Sequence, residues 1–162
     1  TSRTDARHSG TIAAVYQAPW GITVSPFFIY RSALPVSTIE GIDRNANSER
    51  NDIPDRAFQF SAVGQAPKDI GPCETWNCGR GAKRTQFNLR VSKSVNLWKS
   101  ARVEAIAEIF NLFNAKNPSG FITGRLLGTG AANVNFMQPT NYSGDFQTAE
   151  QRLGQIGFRF SF

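Results

Sequence analysis

The last twelve residues of the chain alternate between apolar and other side chains. Successive side chains of a β-strand point to opposite faces, so this period of two predicts a strand over 151–162 with one apolar face and one largely polar face. The polar face carries Gln155, Arg159 and Ser161. The apolar set is Gly154, Ile156, Phe158, Phe160 and Phe162.

The same alternation predicts four earlier strands, near 8–18, 22–32, 84–96 and 102–114. The last of these is ambiguous by itself, since Val103, Ile106, Ala107, Phe110 and Phe113 also follow the helical i, i+3, i+4, i+7 spacing. The neighbouring alternating segments favour a strand there. We therefore expect about five strands.

The predicted connections alternate between short and very long. Residues 19–21 and 97–101 are short turns, whereas 33–83 and 115–150 are long loops. Loops this long are uncommon in compact domains, but transmembrane β-barrels combine short periplasmic turns with long extracellular loops. This organisation predicts an all-β fold: an antiparallel up-and-down transmembrane β-barrel segment, about five strands of a larger barrel, with two long extracellular loops. Trp20 and Trp98 would then form a girdle at one membrane interface.

Composition excludes several other classes. Aromatic residues make up 12% and charged residues 19% of the chain, the opposite of the balance in disordered segments. The net charge is +6, but Lys and Arg are scattered rather than clustered, so no nucleic-acid partner is expected. His8 is the only histidine and lacks a candidate catalytic partner, and the glycines form no phosphate loop. We expect no enzymatic activity.

Glu104 and Glu108 are expected to pair with arginines inside a polar barrel.

Cys73 and Cys78 lie in the first long loop, five residues apart. A CxxC redox motif requires closer spacing, and a metal site requires more ligands. In an exported loop, this spacing predicts a disulfide that closes a short segment.

One polar stretch of the first long loop is a candidate calcium site. Asp43, Asn45 and Asn47 place oxygen-bearing side chains at alternate positions, with Asp52 following. Ser48 and Pro54 stand where an EF-hand requires Gly and Glu, so the alternative is a polar, solvated loop. No other metal and no cofactor is expected.

Three segments resemble known outer-membrane sequences. Arg102–Asn117, followed by Pro118, resembles the penultimate strand of TonB-dependent outer-membrane receptors, above all the Oar-like group with an N-terminal carboxypeptidase-regulatory-like domain. Residues 87–94 resemble the strand before it. The ending is similar to the C-terminal signal read by the barrel-assembly machinery, through Gln155, Gly157, Phe160 and Phe162. The likeness covers nearly the whole chain and is most specific in roughly its last 80 residues.

The resemblance implies a barrel of about 22 strands with a plugged lumen in the outer membrane of a Gram-negative-type bacterium. It also implies transport driven by an inner-membrane energy-coupling complex. About five strands cannot close a barrel, and an open edge would leave backbone groups unsatisfied in lipid. We therefore expect a C-terminal piece of a larger protein, completed by the remaining strands and plug or by a complementing chain.

Two other functions stay open. One is a structural or adhesive outer-membrane barrel that anchors a surface assembly without transport. The other is a soluble β-rich binding domain whose apolar strand faces pack as a sandwich core.

Overall fold

A computed structural model describes residues 2–98, 101–143 and 152–162. Throughout these residues the chain is all-β, with antiparallel sheets and no α-helix. Its contacts divide it into two compact units. We call 10–30, 85–116 and 152–162 the sheet unit, and 2–9, 31–84 and 117–143 the loop unit.

Twelve strands are formed by the described residues. In chain order they are β1 (Ser9–Ala13), β2 (Tyr16–Ala18), β3 (Ile22–Arg31), β4 (Pro35–Val36), β5 (Arg56–Gln59), β6 (Lys68–Pro72), β7 (Gly79–Arg80), β8 (Arg84–Asn96), β9 (Arg102–Phe110), β10 (Pro118–Phe121), β11 (Pro139–Tyr142) and β12 (Leu153–Ser161).

The main sheet has the strand order β1-β3-β8-β9-β12, with β2 also paired to β3. The ambiguous segment is therefore a strand, β9. It ends at Phe110, before Asn111 and Asn114, which both adopt left-handed backbone conformations with φ of 50° and 51°. The strand predicted near 8–18 is interrupted between β1 and β2, although the Ala14 N–H still bonds to the Pro26 carbonyl. β1 and β12 are the sheet edges, so the described strands form no closed barrel.

The predictions for 144–150, the end of the second long loop, and for Gln151, the start of the last strand, lie outside the described residues. The same holds for Lys99 and Ser100 in the second short turn.

The register of β8, β9 and β12 aligns their apolar positions across three strands. Residues directly opposite in antiparallel strands share a face, so the pairs define two surfaces. One is the apolar face, whose rows are Phe160-Val103-Val95, Phe158-Ala105-Lys93, Ile156-Ala107-Val91 and Gly154-Ile109-Leu89. The other is the polar face, with rows Ser161-Arg102-Asn96, Arg159-Glu104-Ser94, Gly157-Ile106-Ser92 and Gln155-Glu108-Arg90.

The loop unit contains regular secondary structure, although most of it was predicted to be long loops. It contains a four-stranded sheet of order β4-β7-β5-β6 and the hairpin-like pair β10-β11. Its core includes the buried side chains of Met137, Phe136 and Ala57. Phe58 and Phe136 meet edge to face, with ring centroids 5.1 Å apart. These long connections therefore have an apolar core of their own.

Candidate functional site

The apolar face of the main sheet is exposed where β12 forms its edge. Ile156 is 79% exposed, Phe158 66% and Phe160 67%. Phe162, the last residue, is 99% exposed. The large side chains that would build the core of a sandwich thus lie on the surface of the sheet unit.

The polar face carries pairs of opposite charge that join neighbouring strands. Arg159 Nη1 lies 3.4 Å from Glu104 Oε2, and Arg90 Nη1 lies 3.5 Å from Glu108 Oε1. Gln155 Nε2 also donates a hydrogen bond to Glu108. Each pair sits in a register row, so the expected cross-strand pairing of Glu104 and Glu108 with arginines is present.

Trp20 and Trp98 lie at the same end of the main sheet. Trp20 sits in the turn Pro19–Gly21 that leads into β3, and Trp98 follows the end of the neighbouring β8. Gly21 has a φ of 72°, and a Cβ there would lie 2.6 Å from the Ser94 carbonyl oxygen, so the turn packs directly against β8. Both indole side chains are more than 80% exposed. Two large amphipathic rings therefore project from one rim.

The residues of the proposed assembly signal divide between the two faces of β12. Gln155 and Gly157 are on the polar face, and Phe160 is on the apolar face. Phe162 follows β12 at the rim where Arg102 begins β9, close to the short turns. Gln155, Gly157 and Phe160 thus lie on a strand at the edge of the described sheet.

Cys73 and Cys78 form the expected disulfide, with Cα atoms 5.6 Å apart. This separation is within the usual range for disulfides. The bond closes the connection between β6 and β7, and the Cys73 N–H bonds to the Asp55 carbonyl at 2.9 Å. Trp76, between the cysteines, is about half exposed. The disulfide therefore closes the short connection between β6 and β7, which both pair with β5 in the four-stranded sheet.

Replacing both cysteines by Ser is expected to lower the free energy of unfolding of the loop unit by about 2 kcal/mol. A closed segment with a sequence separation of 5 restricts the unfolded chain only modestly, which gives this size of effect. Denaturant unfolding followed by Trp76 fluorescence, with Trp20 and Trp98 replaced by Phe in both proteins, measures it. Reductant should lower the stability of the native protein and leave the double variant unchanged; equal responses would contradict the structural role.

The candidate calcium residues form a turn in which their side chains bind the backbone. The Asp43 carboxylate accepts hydrogen bonds from the N–H groups of Asn47 at 3.1 Å and Ser48 at 2.8 Å. Asn45 and Asn47 accept from Asn47 and Glu49, and Asp52 accepts from Arg44. The described residues contain no group of three or more His, Cys, Asp or Glu arranged around a metal position. Calcium binding stays a prediction, and calcium would have to replace these hydrogen bonds.

A buried ion pair, which no sequence signal indicated, joins the two long connections. Glu40 is only 3% exposed, and both of its carboxylate oxygens accept hydrogen bonds from Arg125, with Arg125 Nε at 2.9 Å from Oε2. The backbones meet at the same place, where the Leu126 N–H donates to the Glu40 carbonyl at 2.8 Å. The hydrogen bonds to Glu40 raise the pKa of Arg125 above its ordinary value.

Gly41, next to this pair, has no room for a side chain. Its φ is 88°, a left-handed conformation that favours glycine, and a Cβ would lie 2.1 Å from the Leu126 carbonyl oxygen. The close backbone approach at Gly41 thus helps to position Glu40 against Arg125.

Two further ion pairs on the loop unit are exposed. Hydrogen bonds from Arg44 hold the pKa of Asp55 below its usual value, and hydrogen bonds from Arg56 and then Gly71 do the same for Asp69. Both interactions are bidentate, with N–O distances between 2.8 and 3.2 Å. Because all four side chains are substantially exposed to solvent, such pairs contribute little to stability.

Comparison with known proteins identifies no relative of the chain. No family model, curated protein or solved structure matches it. In the part of the chain that the structure describes, none of the helical segments has the length and apolar character needed to span a membrane.

Proposed function

We propose that the chain is the barrel-closing segment of a TonB-dependent, Oar-like outer-membrane receptor, with extracellular loops that contribute to ligand uptake. The observation that supports this proposal best is the pair of opposed faces on β8, β9 and β12. Apolar side chains are aligned on one face, where Ile156, Phe158 and Phe160 are exposed, while ion pairs cross the strands on the other.

The apolar face is better suited to contact with lipid than to contact with water. An aromatic and aliphatic surface formed from several strands is unfavourable in water, and monomeric soluble proteins rarely expose a large one. In a membrane barrel the same surface contacts hydrocarbon, and the lumen side stays polar. A sandwich would need a second layer on Ile156, Phe158 and Phe160, whose exposure speaks against such a layer in the described structure.

The rim of the sheet supports an orientation. The two short connections, both tryptophans and the chain end lie at one end of the strands, which suits a periplasmic rim with an aromatic girdle. Lys93 is exposed on the apolar face three residues before the end of β8. From there its aliphatic stem can follow the lipid while its ammonium group reaches the interface.

The open edges of the sheet are the basis for the partners that we propose. An unpaired strand edge in hydrocarbon leaves backbone N–H and C=O groups without hydrogen bonds, so β1 and β12 require further strands. We propose that the rest of the same protein, or a complementing chain, supplies them together with a plug. Two further partners, the barrel-assembly machinery and the inner-membrane energy-coupling complex, are implied only by the sequence resemblance to TonB-dependent receptors.

Deleting Phe162 tests this function. The side chain is 99% exposed, so its loss should not disturb the packing of the described structure. We expect the amount of full-length protein in the outer membrane to fall severalfold, because the assembly signal loses its terminal aromatic residue. Quantitative blotting of separated membrane fractions measures it.

The control for this deletion is Val134→Ser, which removes an apolar side chain that is similarly exposed but lies in the loop unit. Its outer-membrane level should match that of the native protein. Equal levels for both variants would contradict the signal. Native protein recovered in the soluble fraction without detergent would overturn the membrane location itself.

A further inference from the structure

A cavity of about 180 Å³ within the loop unit combines positive charge with an apolar wall. Three arginines line it, Arg3 from the N-terminal segment, Arg31 from the end of β3 and Arg84 from the start of β8. None of the described residues that line it is acidic. The topology thus gathers three arginines from distant parts of the sequence around one space.

The apolar wall is held in place by close packing. The ring of Phe121 lies 2.7 Å from the position that a Cβ on Gly81 would take, so the absence of a side chain at 81 makes room for the ring. Phe121 also packs on Phe60, with ring centroids 5.3 Å apart, and the Gly81 N–H bonds to the Leu34 carbonyl at 2.9 Å. Val36 and Pro118 extend this wall. The cavity therefore offers a preformed apolar surface next to its cations.

The arginines of this cavity differ from other arginines of the loop unit in their ion pairing. Arg44, Arg56 and Arg125 each form an ion pair with a carboxylate. Within the described residues, neither Arg3 nor Arg31 forms an ion pair. Guanidinium groups gathered in this way favour an anion, because an oxyanion accepts several charge-assisted hydrogen bonds and offsets their mutual repulsion.

We propose that this cavity binds a small aromatic anion, a phosphate or carboxylate group carried on a single ring. A cavity of about 150 Å³ accommodates a benzene ring, so the volume here fits one ring with a small charged group. The ring packs against Phe121 and its apolar neighbours, and the anionic group faces the arginines. All lining residues belong to the loop unit, so this binding goes beyond the proposed function and does not depend on the sheet spanning a membrane.

Calorimetric titration of the full-length protein in detergent, at low ionic strength, tests the proposal with phenyl phosphate as the probe. We expect phenyl phosphate to bind at least tenfold more tightly than benzyl alcohol, which lacks the charge, and than inorganic phosphate, which lacks the ring. Absence of phenyl phosphate binding, or equal affinity for benzyl alcohol, would overturn the proposal. Equal affinity for inorganic phosphate would overturn the aromatic part of the ligand class.

Variants locate the site. Arg31→Gln and Arg3→Gln should each weaken phenyl phosphate binding about tenfold or more, because each removes a charged hydrogen-bond donor. Arg7→Gln is the matched control, since it removes the same charge from an exposed position in the N-terminal segment that does not line the cavity. Its affinity should equal that of the native protein.

Equal losses in Arg3→Gln and Arg7→Gln would show a nonspecific charge effect and overturn the site. Arg3 is exposed, so its replacement keeps the test valid even if a change at the half-buried Arg31 prevents folding. Gly81→Val, which places a side chain where the Phe121 ring lies, should also abolish binding by displacing that ring from the apolar wall.

Discussion

Ile156→Arg is expected to lower the free energy of unfolding of the membrane-folded protein by roughly 2–4 kcal/mol, the cost of an arginine on the lipid face near the middle of a barrel strand. Ile156 lies in the middle of β12, in the row that contains Ala107 and Val91. In water the same substitution at a 79% exposed position should be nearly neutral. The size of the effect therefore reports the solvent around the apolar face.

Gln155→Arg is the matched control, one residue away on the same exposed strand but on the polar face. It replaces the hydrogen bond from Gln155 to Glu108 by a charge pair with the same carboxylate, so we expect a change within about 1 kcal/mol. Both variants are measured by urea unfolding of the full-length protein refolded into lipid vesicles. If Ile156→Arg costs no more than Gln155→Arg, the apolar face does not contact hydrocarbon, and the proposed function fails.

Arg125→Met is expected to lower the free energy of unfolding of the loop unit by about 3 kcal/mol. The substitution leaves the buried carboxylate of Glu40 without its partner, and breaking such a pair is far more costly than losing an exposed one. We take the lower end of the usual range because the Arg125 side chain is itself 40% exposed. Denaturant unfolding followed by Trp76 fluorescence, with Trp20 and Trp98 replaced by Phe, measures the change.

Arg44→Met provides the comparison, since Arg44 pairs with Asp55 at the surface and should cost less than about 1 kcal/mol. Adding Glu40→Gln to Arg125→Met should recover part of the loss, because the buried charge is then gone as well. Equal losses for Arg125→Met and Arg44→Met, without recovery in the double variant, would show that the pair does not hold the two long connections together.

The long strands could be located from the sequence because their period is carried by enough residues. β8, β9 and β12 each have nine or more residues, and nearly every second position of each is apolar. For β9 the local pattern also fitted a helix, and its alternating neighbours gave the correct prediction. Cross-strand pairing then adds what a single strand cannot show, namely that the apolar positions align into one surface.

The strands of the loop unit could not be predicted from side-chain alternation. Its strands have two to five residues, too few to display a period, and they were expected to be loop. Glu40 and Arg125 are 85 residues apart, and each is an ordinary charged residue in its local sequence. The candidate calcium residues were chosen by spacing, and the structure shows that their oxygens bind the backbone of their own turn.

The sequence by itself determined the two-faced strands and the disulfide, because side-chain alternation and short spacing are local properties that follow directly from backbone geometry. Only the tertiary structure decided which carboxylate is buried against which arginine, and that Arg3, Arg31 and Arg84 surround one cavity. Those contacts depend on how distant segments pack. Their stability comes from interactions among many residues, so no single motif predicts them.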